Sequence, residues 1–289
     1  MSVKLNVKNV SYVYSPDTPF CTAALTDVSC GFEEGLITGL IGHTGSGKST
    51  LVQMLNGLLK PTDGQVLLDG EDIWADSKRI ADIRYRVGLV FQYPEYQLFE
   101  ETVFEDIAYG PRNMGLTDGE IKSRVYESAQ FVGLDEDIFD KSPFDLSGGQ
   151  KRRVAIAGIL AMEPEVVVLD EPAAGLDPIG REMIFGGICN YKRAKNATVI
   201  IVSHSMEDMA KYADRLVVMS DGKVVLHDTP DEVFKQAELL CSIGLDVPQI
   251  TRTLMKLREK GVDVRTDIFT VSAAREEIAR LLREKGEVQ

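Results

Sequence analysis

The chain has 289 residues, 44% hydrophobic and 27% charged, which fits one large globular domain, or one with a small appendage, and is ample for a core. Asp and Glu outnumber Lys and Arg by 45 to 32, and the net charge of −13 argues against a basic footprint for DNA or RNA. The four cysteines are scattered, with no C-x-x-C pair and no His at ligand spacing, so they offer neither a zinc site nor a disulfide framework and point to a reducing cytosol.

In chain order, MSVKLNVKNVSYVYS alternates apolar and polar positions as a strand does and lacks the apolar block of a signal peptide. No run reaches the length needed to cross a bilayer, so any membrane role is expected to come through partners. LITGLIG is a buried-strand run. GHTGSGKS at 42–49 follows it and opens the helix KSTLVQMLNGLL, with Leu51, Leu55 and Leu58 on one face. A Gly-x4-Gly-Lys-Ser pattern between a strand and a helix is a phosphate loop. Gly45 and Gly47 let backbone N–H groups converge on phosphate oxygens, Lys48 is expected to reach the β- and γ-phosphates, and Ser49 to ligate Mg2+.

GLVFQ is the next strand. The stretch that follows, FQYPEYQLFEETVFEDIAYGP at 91–111, holds six aromatics and five carboxylates with no lysine or arginine. That is too acidic for a core and too aromatic for a solvated loop. Within it, Thr102 and Glu105 form a capping box that turns Val103 and Ile107 to one side. Thr117 and Glu120 form another before Ile121, Val125 and Val132, and Gly133 stops that helix. In LSGGQ, Ser147 and Gln150 again make a capping box, and Gly148 and Gly149 leave backbone donors free at a helix start, a second anion site. EVVVLDE is a strand ending in two acids. Asp170 is expected to bind Mg2+ and Glu171 to orient, or accept a proton from, an attacking water, though alone the pattern fits a strand meeting solvent equally well. ATVIIVSH is one more strand, so an α/β sheet domain is expected to about residue 228. Thr229, Pro230 and Glu232 open a helix, and Ile250, Leu254 and Leu257, then Ile278 and Leu282, mark amphipathic helices beyond it.

Together these motifs resemble the ATP-binding cassette (ABC) ATPases over nearly all of residues 1–228. The resemblance implies an α/β P-loop NTPase fold: a RecA-like parallel core, an N-terminal antiparallel β subdomain and a helical subdomain at about 93–163. The cassette would span 1–229, and a helical segment at 230–289 resembles a dimer-contact region. It further implies an ATP cradle of Gly42, His43, Thr44, Gly45, Ser46, Gly47, Lys48, Ser49 and Thr50, in which the His43 imidazole, like that of His227, has no role of its own. Tyr14 would stack on adenine, with Tyr12 as the alternative, and Gln92 would touch Mg2+ and sense the γ-phosphate. Asp177 would line a dimer seam and His204 would contact the γ-phosphate. Two cassettes would pair head to tail, so that Ser147, Gly148, Gly149 and Gln150 of one cap the phosphate held by Lys48 of the other.

The wording of 92–111, with PAAGLDPIGR and GHTGSGKST, is similar to the ATPases of energy-coupling factor (ECF) transporters and also to the cobalt and nickel importer ATPases. GHTGSGKST leans toward the second ATPase of the heterodimeric vitamin module. The resemblance implies a peripheral protein on the cytoplasmic face of the cell membrane, partnered by a second ATPase, identical or not. It implies a transmembrane T component docked on the surface from Gln92 to Pro111 and, indirectly, a substrate-binding S component. There Tyr93, Tyr96, Leu98 and Phe99 offer apolar area, while Glu95, Glu100, Glu101 and Glu105 meet arginines of an incoming helix. A soluble ABC ATPase acting on nucleic acid fits less well, because the chain has one cassette, a short insert and negative charge. A switch protein without turnover is disfavoured by Glu171 and His204.

Overall fold

The computed structural model describes residues 2–284. β1 (Val3–Tyr14) and β2 (Thr22–Glu33) pair antiparallel, with Leu5, Val7, Val10, Leu25, Val28 and Phe32 buried and the two-residue alternation broken by a register shift between Val7 and Val10. β3 (Ile37–Gly42) is buried at every position and leads through a glycine-rich turn into α1 (Lys48–Leu55). β4 (Asp63–Leu68) and the short β5 (Glu71–Asp72) complete a sheet of order β2-β1-β4-β5. After α2 (Ile80–Arg86) and β6 (Val87–Val90) comes a helical layer of α3 (Val103–Asn113), α4 (Asp118–Phe131) and α5 (Gly148–Leu160). β7 (Val166–Asp170), α6 (Pro178–Lys195), β8 (Thr198–Val202), α7 (Met206–Tyr212) and β9 (Arg215–Ser220) then alternate, and β10 (Lys223–Asp228) turns back. The second sheet has the order β10-β9-β3-β8-β7-β6 and is parallel except at β10, so β3 lies between strands from late in the chain.

α1 carries Leu51, Met54 and Leu55 fully buried, each contributing about 1.5–3 kcal/mol. Leu58 departs from the expected face. The helix stops at Leu55, and Gly57 takes a φ of +71°, which turns Leu58 outward. The Thr117–Glu120 capping box and the Gly133 stop, at φ +66°, bound α4 as its sequence predicts. α8 (Pro230–Phe234), capped by Thr229, and α9 (Ala237–Ser242) bury Val233, Phe234 and Leu240 in the main core. α10 (Gln249–Glu259) and α11 (Val271–Glu284) form a small core of their own around Leu254, Val264, Ile268 and Ala274. Ile278 and Leu282 were expected on the inner face of α11, yet the inward row is Ala274, Glu277 and Leu281, and Ile278 is exposed. The helix is rotated because Glu277 is satisfied inside: it accepts the Arg265 backbone N–H (3.0 Å) and the Arg280 guanidinium, which holds its carboxyl at about 2. Residues 285–289 of the expected C-terminal segment lie outside the described residues.

An ion network ties the two sheets together. Glu165, just before β7, accepts from the Arg86 Nε at 2.6 Å and Nη2 at 3.0 Å and pairs with Lys4 of β1, while Asp69, beyond β4, joins both cations. The Arg86 hydrogen bonds depress the Glu165 carboxyl from 4.5 to about 2. The folded carboxyl is thus more acidic than the unfolded one, so its contribution is complete above the ordinary carboxylate range and fades as the pH falls toward 2. Because the group is partly exposed, Glu165→Gln is expected to cost only about 1 kcal/mol at pH 7. Urea unfolding at pH 7, 4 and 3 should show the gap between the two proteins closing on acidification; a widening gap refutes the pairing.

Candidate active site

The parallel register sets Leu40 of β3 beside Val202 of β8, and Asp170 of β7 beside the same Val202. The carboxyl ends of three strands therefore converge, the place where open α/β sheets hold ligands. From β3 the chain makes its turn through Gly45 and Gly47. Gly47 has a φ of +100°, and a Cβ there would lie 2.7 Å from the Ala24 carbonyl oxygen, so no other residue fits without displacing β2. Gly45, at φ +85°, has open space where a side chain would be. α1 has no capping side chain, which leaves its first N–H groups aimed at whatever occupies the turn. The Lys48 ammonium donates to the carbonyls of Gly42 (2.6 Å) and His43 (2.9 Å); burial lowers its pKa against the opposing pull of Glu171 and Asp170.

Both strand-end acids are shifted upward. Burial raises Asp170, opposed by Lys48, His204 and the Ser49 hydroxyl. Burial, with Asp170 beside it, pushes Glu171 up to about 7. Glu171 also sits at φ +52°, a strained conformation held by its N–H donating to the Val202 carbonyl (3.0 Å). Its Oε1 is buried without a hydrogen-bond partner, 3.6 Å from the His204 Nε2. His204 is half-exposed and lowered by burial, which favours neutral imidazole.

A cleft of about 450 Å³ gathers Tyr14, Thr44, Gly45, Gly47, Lys48, Ser49, Thr50, Gln92, Asp170, Glu171 and His204. Tyr14, not Tyr12, lines it: the Tyr14 hydroxyl is 3.2 Å from the Thr50 Oγ1, while Tyr12 packs edge-on against the Tyr14 ring and into the core. Gly42, His43 and Ser46 belong to the turn but not to the wall. Ser46 is fully buried beneath it, and the His43 ring points toward Ser220 (3.4 Å) and Asp221 (3.7 Å). Among the described residues no group of three His, Cys, Asp or Glu side chains is arranged to hold a metal. The hydroxyl of Ser49, the amide of Gln92 and the Asp170 carboxylate are instead hard oxygen donors, the set that suits Mg2+ completed by phosphate and water. The wall residues Thr22, Ala23 and Ala24 were not anticipated; the pairing of Tyr14 with Thr22 across β1–β2 places them there.

Ser147, Gly148, Gly149, Gln150 and Asp177 lie outside this cleft. Both halves of the Ser147–Gln150 capping box are formed at the start of α5, and Ser147 is exposed. Asp177, also exposed, caps α6 by accepting the Gly180 N–H at 2.7 Å.

The aromatic, acidic stretch forms a second feature, an apolar groove of about 390 Å³ between residues 94–99, α3 and α5. Tyr96 (84% exposed), Phe99 (59%), Tyr93 and Tyr109 stand open at the surface, while Leu98, Val103 and Ile107 are core. Two of the expected docking acids are engaged within the chain. Glu95 forms a bidentate pair with Arg152 of α5, and the Glu105 carboxylate takes Arg112 instead of closing the capping box, so Thr102 only accepts the Glu105 N–H. Arg112 lies just past the quoted stretch, and Arg152 lies 57 positions from Glu95, beyond any local pattern. Glu100 and Glu101 keep their carboxylates outside such pairs. Asp106 accepts the Phe99 N–H (3.2 Å) through one oxygen, and the other is buried without a partner.

The sequence profile of the ABC transporter family matches residues 25–174. The energy-coupling factor transporter ATP-binding protein EcfA2 of Caldanaerobacter subterraneus subsp. tengcongensis is 54% identical over 279 residues, 96% of this chain and 98% of that one. Among solved structures, cbiO1 from Clostridium perfringens, part of the ABC transporter complex cbiONQ, has a TM-score of 0.75 at 39% identity, over 86% of this chain and 98% of that one. The dimeric cassette MJ0796 bound to ADP and Pi has a TM-score of 0.70 at 29% identity, over 78% of this chain and 98% of that one. With this identity maintained along nearly the whole of both sequences, the chain belongs to the ABC transporter family, within its energy-coupling factor ATP-binding proteins.

Proposed function

We propose that this chain hydrolyses ATP to drive an ECF-type importer of vitamins or other micronutrients, as one of two ATPases bound to the cytoplasmic face of a transmembrane component. One observation carries the reading: Lys48, Ser49, Gln92, Asp170, Glu171 and His204, drawn from four separated motifs, line one cleft at the strand ends. Lys48 and the α1 N–H groups hold the β- and γ-phosphates, and Tyr14 lies under the adenine. Ser49, Asp170 and Gln92 would hold Mg2+, which would supply positive charge against the phosphates. Glu171, which lines the cleft beside Lys48, accepts the proton of the attacking water, and His204 orients the γ-phosphate side. Ser147 and Asp177 lie exposed outside the cleft, which supports a head-to-tail pair in which each chain completes the other's site. The dimeric ADP-bound cassette is consistent with that arrangement.

The groove beside residues 94–99 suits a helix from the transmembrane T component, with the solute bound by an S component. No helix among the described residues is long and apolar enough to cross a membrane, so attachment through a partner accounts for a peripheral location. The likeness to cbiO1 supports a second reading, the ATPase of a cobalt or nickel importer. Transport assays of the copurified complex with vitamins and with metal ions separate the two.

Glu171→Gln should keep ATP affinity while lowering kcat about 10²–10⁴-fold, the span of a lost general base. Lys48→Ala should instead weaken ATP binding about 10- to 100-fold, as a charge-assisted contact to phosphate is removed. Calorimetric titration beside a phosphate-release assay distinguishes them; near-normal turnover in Glu171→Gln removes that residue from its role.

Reversing Glu100 and Glu101 together to Lys should leave folding and nucleotide binding intact and weaken assembly with the membrane partner by tenfold or more, as a basic helix meets like charge. Assembly and transport at wild-type levels in vesicles would mean the groove is not the docking surface.

A further inference from the structure

Arg152 joins three segments that the proposed function keeps apart. It stands in the second turn of α5, one turn past Ser147, and its side chain is only 4% exposed. Its Nε and Nη2 donate to the two carboxylate oxygens of Glu95 at 3.0 and 2.7 Å, while its Nη1 donates to the Ala174 carbonyl. The guanidinium also lies 5.9 Å from the centre of the Tyr93 ring. Burial alone would raise the Glu95 carboxyl, yet the Arg152 hydrogen bond and charge, with its own backbone N–H, hold it below its usual value.

The position of these partners gives the bridge its meaning. Tyr93 and Glu95 belong to the stretch that follows Gln92 and edges the docking groove through Pro94 and Gln97. Ala174 lies midway in the loop from Glu171 to Asp177. Each end borders a non-glycine residue in the left-handed region, Tyr93 at φ +57° and Glu171 at +52°, where the backbone stays only if its surroundings hold it. A planar fork that makes three directed hydrogen bonds fixes both ends at once, which a lysine ammonium on a flexible stem does not.

We propose that Arg152 is a positioning residue that locks the docking stretch to the loop between Glu171 and Asp177, so that a helix seated in the groove sets the placement of the hydrolytic loop. The inference rests on the ATP-hydrolysing, partner-docked reading above. When the groove is occupied, residues 93–97 shift against Arg152, and the guanidinium carries the displacement to the Ala174 carbonyl without any contact to nucleotide.

The test measures kcat and the ATP KM for the detached ATPase pair and for the assembled transporter in vesicles, with wild type, Arg152→Lys, Glu95→Gln and the double variant. In wild type, assembly is expected to change kcat, and each variant should bring the assembled-to-detached ratio close to one. Assembled kcat should fall about 10- to 100-fold, the scale of a small misplacement of catalytic groups, with KM within about twofold. The double variant should lose no more than the larger single loss, because both changes break one bridge. If Arg152→Lys does not fold, Glu95→Gln, which leaves the Ala174 contact in place, decides alone. A wild-type ratio of one, ratios that survive in the variants, additive losses, or losses confined to KM or to the urea midpoint overturn the proposal. Absence of ATP hydrolysis by the wild-type transporter would instead sink the functional reading beneath it.

Discussion

The alignment of Leu40 and Asp170 on the same residue, Val202, is the constraint from which the site follows. Parallel strands advance about 3.3 Å per residue, so a slip of one position between β3 and β8 would carry Asp170 that far from Lys48 and turn alternate side chains to the opposite face. The register resists slipping because β3, β7 and β8 are buried on both faces, with Leu40, Val168 and Ile200 packed toward one core and Ile41, Leu169 and Ile201 toward the other. The turn at Gly47, pressed on the Ala24 carbonyl, then fixes the N-terminus of α1 against the antiparallel sheet. Packing of two cores thus places the charges.

Those charges are unbalanced in a useful direction. Lys48 faces both Asp170 and Glu171 in a partly buried cleft, and burial shifts both acids upward, with the charge of Asp170 adding to the rise of Glu171. A bare polyphosphate entering such a cleft would add to the negative excess, whereas a nucleotide carrying a divalent cation brings the compensating charge with it. The oxygen donors Ser49, Gln92 and Asp170 line the cleft where such a cation would be held, and the strained Glu171 has one oxygen unpartnered.

What the sequence made legible was chemistry written in contiguous residues. The glycine-rich turn from β3 into α1, the strand ending at Asp170 beside Glu171, and the capping boxes at Thr117 and Ser147 each carry their donors and backbone conformation within a few positions, and these local structures formed as read. Readings failed where the deciding partner was distant. Nothing near Glu95 announces Arg152, and Glu105 closes on Arg112 two turns along its own helix instead of on Thr102. Two helix faces were also lost: locally, where Gly57 at positive φ ends α1 before Leu58, and at a distance, where Glu277, bonded to Arg265, turns Ile278 out. The wall of Thr22, Ala23 and Ala24 was hidden because it reaches the cleft only through hairpin register.

The aromatic, acidic stretch reads differently once its intrachain ion pairs are placed. Of its five carboxylates, Glu95 and Glu105 are paired within the chain and Asp106 is taken up by the Phe99 N–H and by burial, so a helix docked as proposed would meet Glu100 and Glu101. Solvent-exposed ion pairs contribute about 0–1 kcal/mol each, whereas each large apolar side chain buried contributes about 1.5–3 kcal/mol. Four exposed rings, Tyr93, Tyr96, Phe99 and Tyr109, flank an apolar groove there, so ring burial outweighs the free acids in affinity. The acids then act on a different quantity. Under the docking proposed above they would steer a basic helix into the groove and fix its direction. Under that proposal, aromatic area without basic residues would be a division of labour, with rings supplying affinity and carboxylates selecting which helix is held.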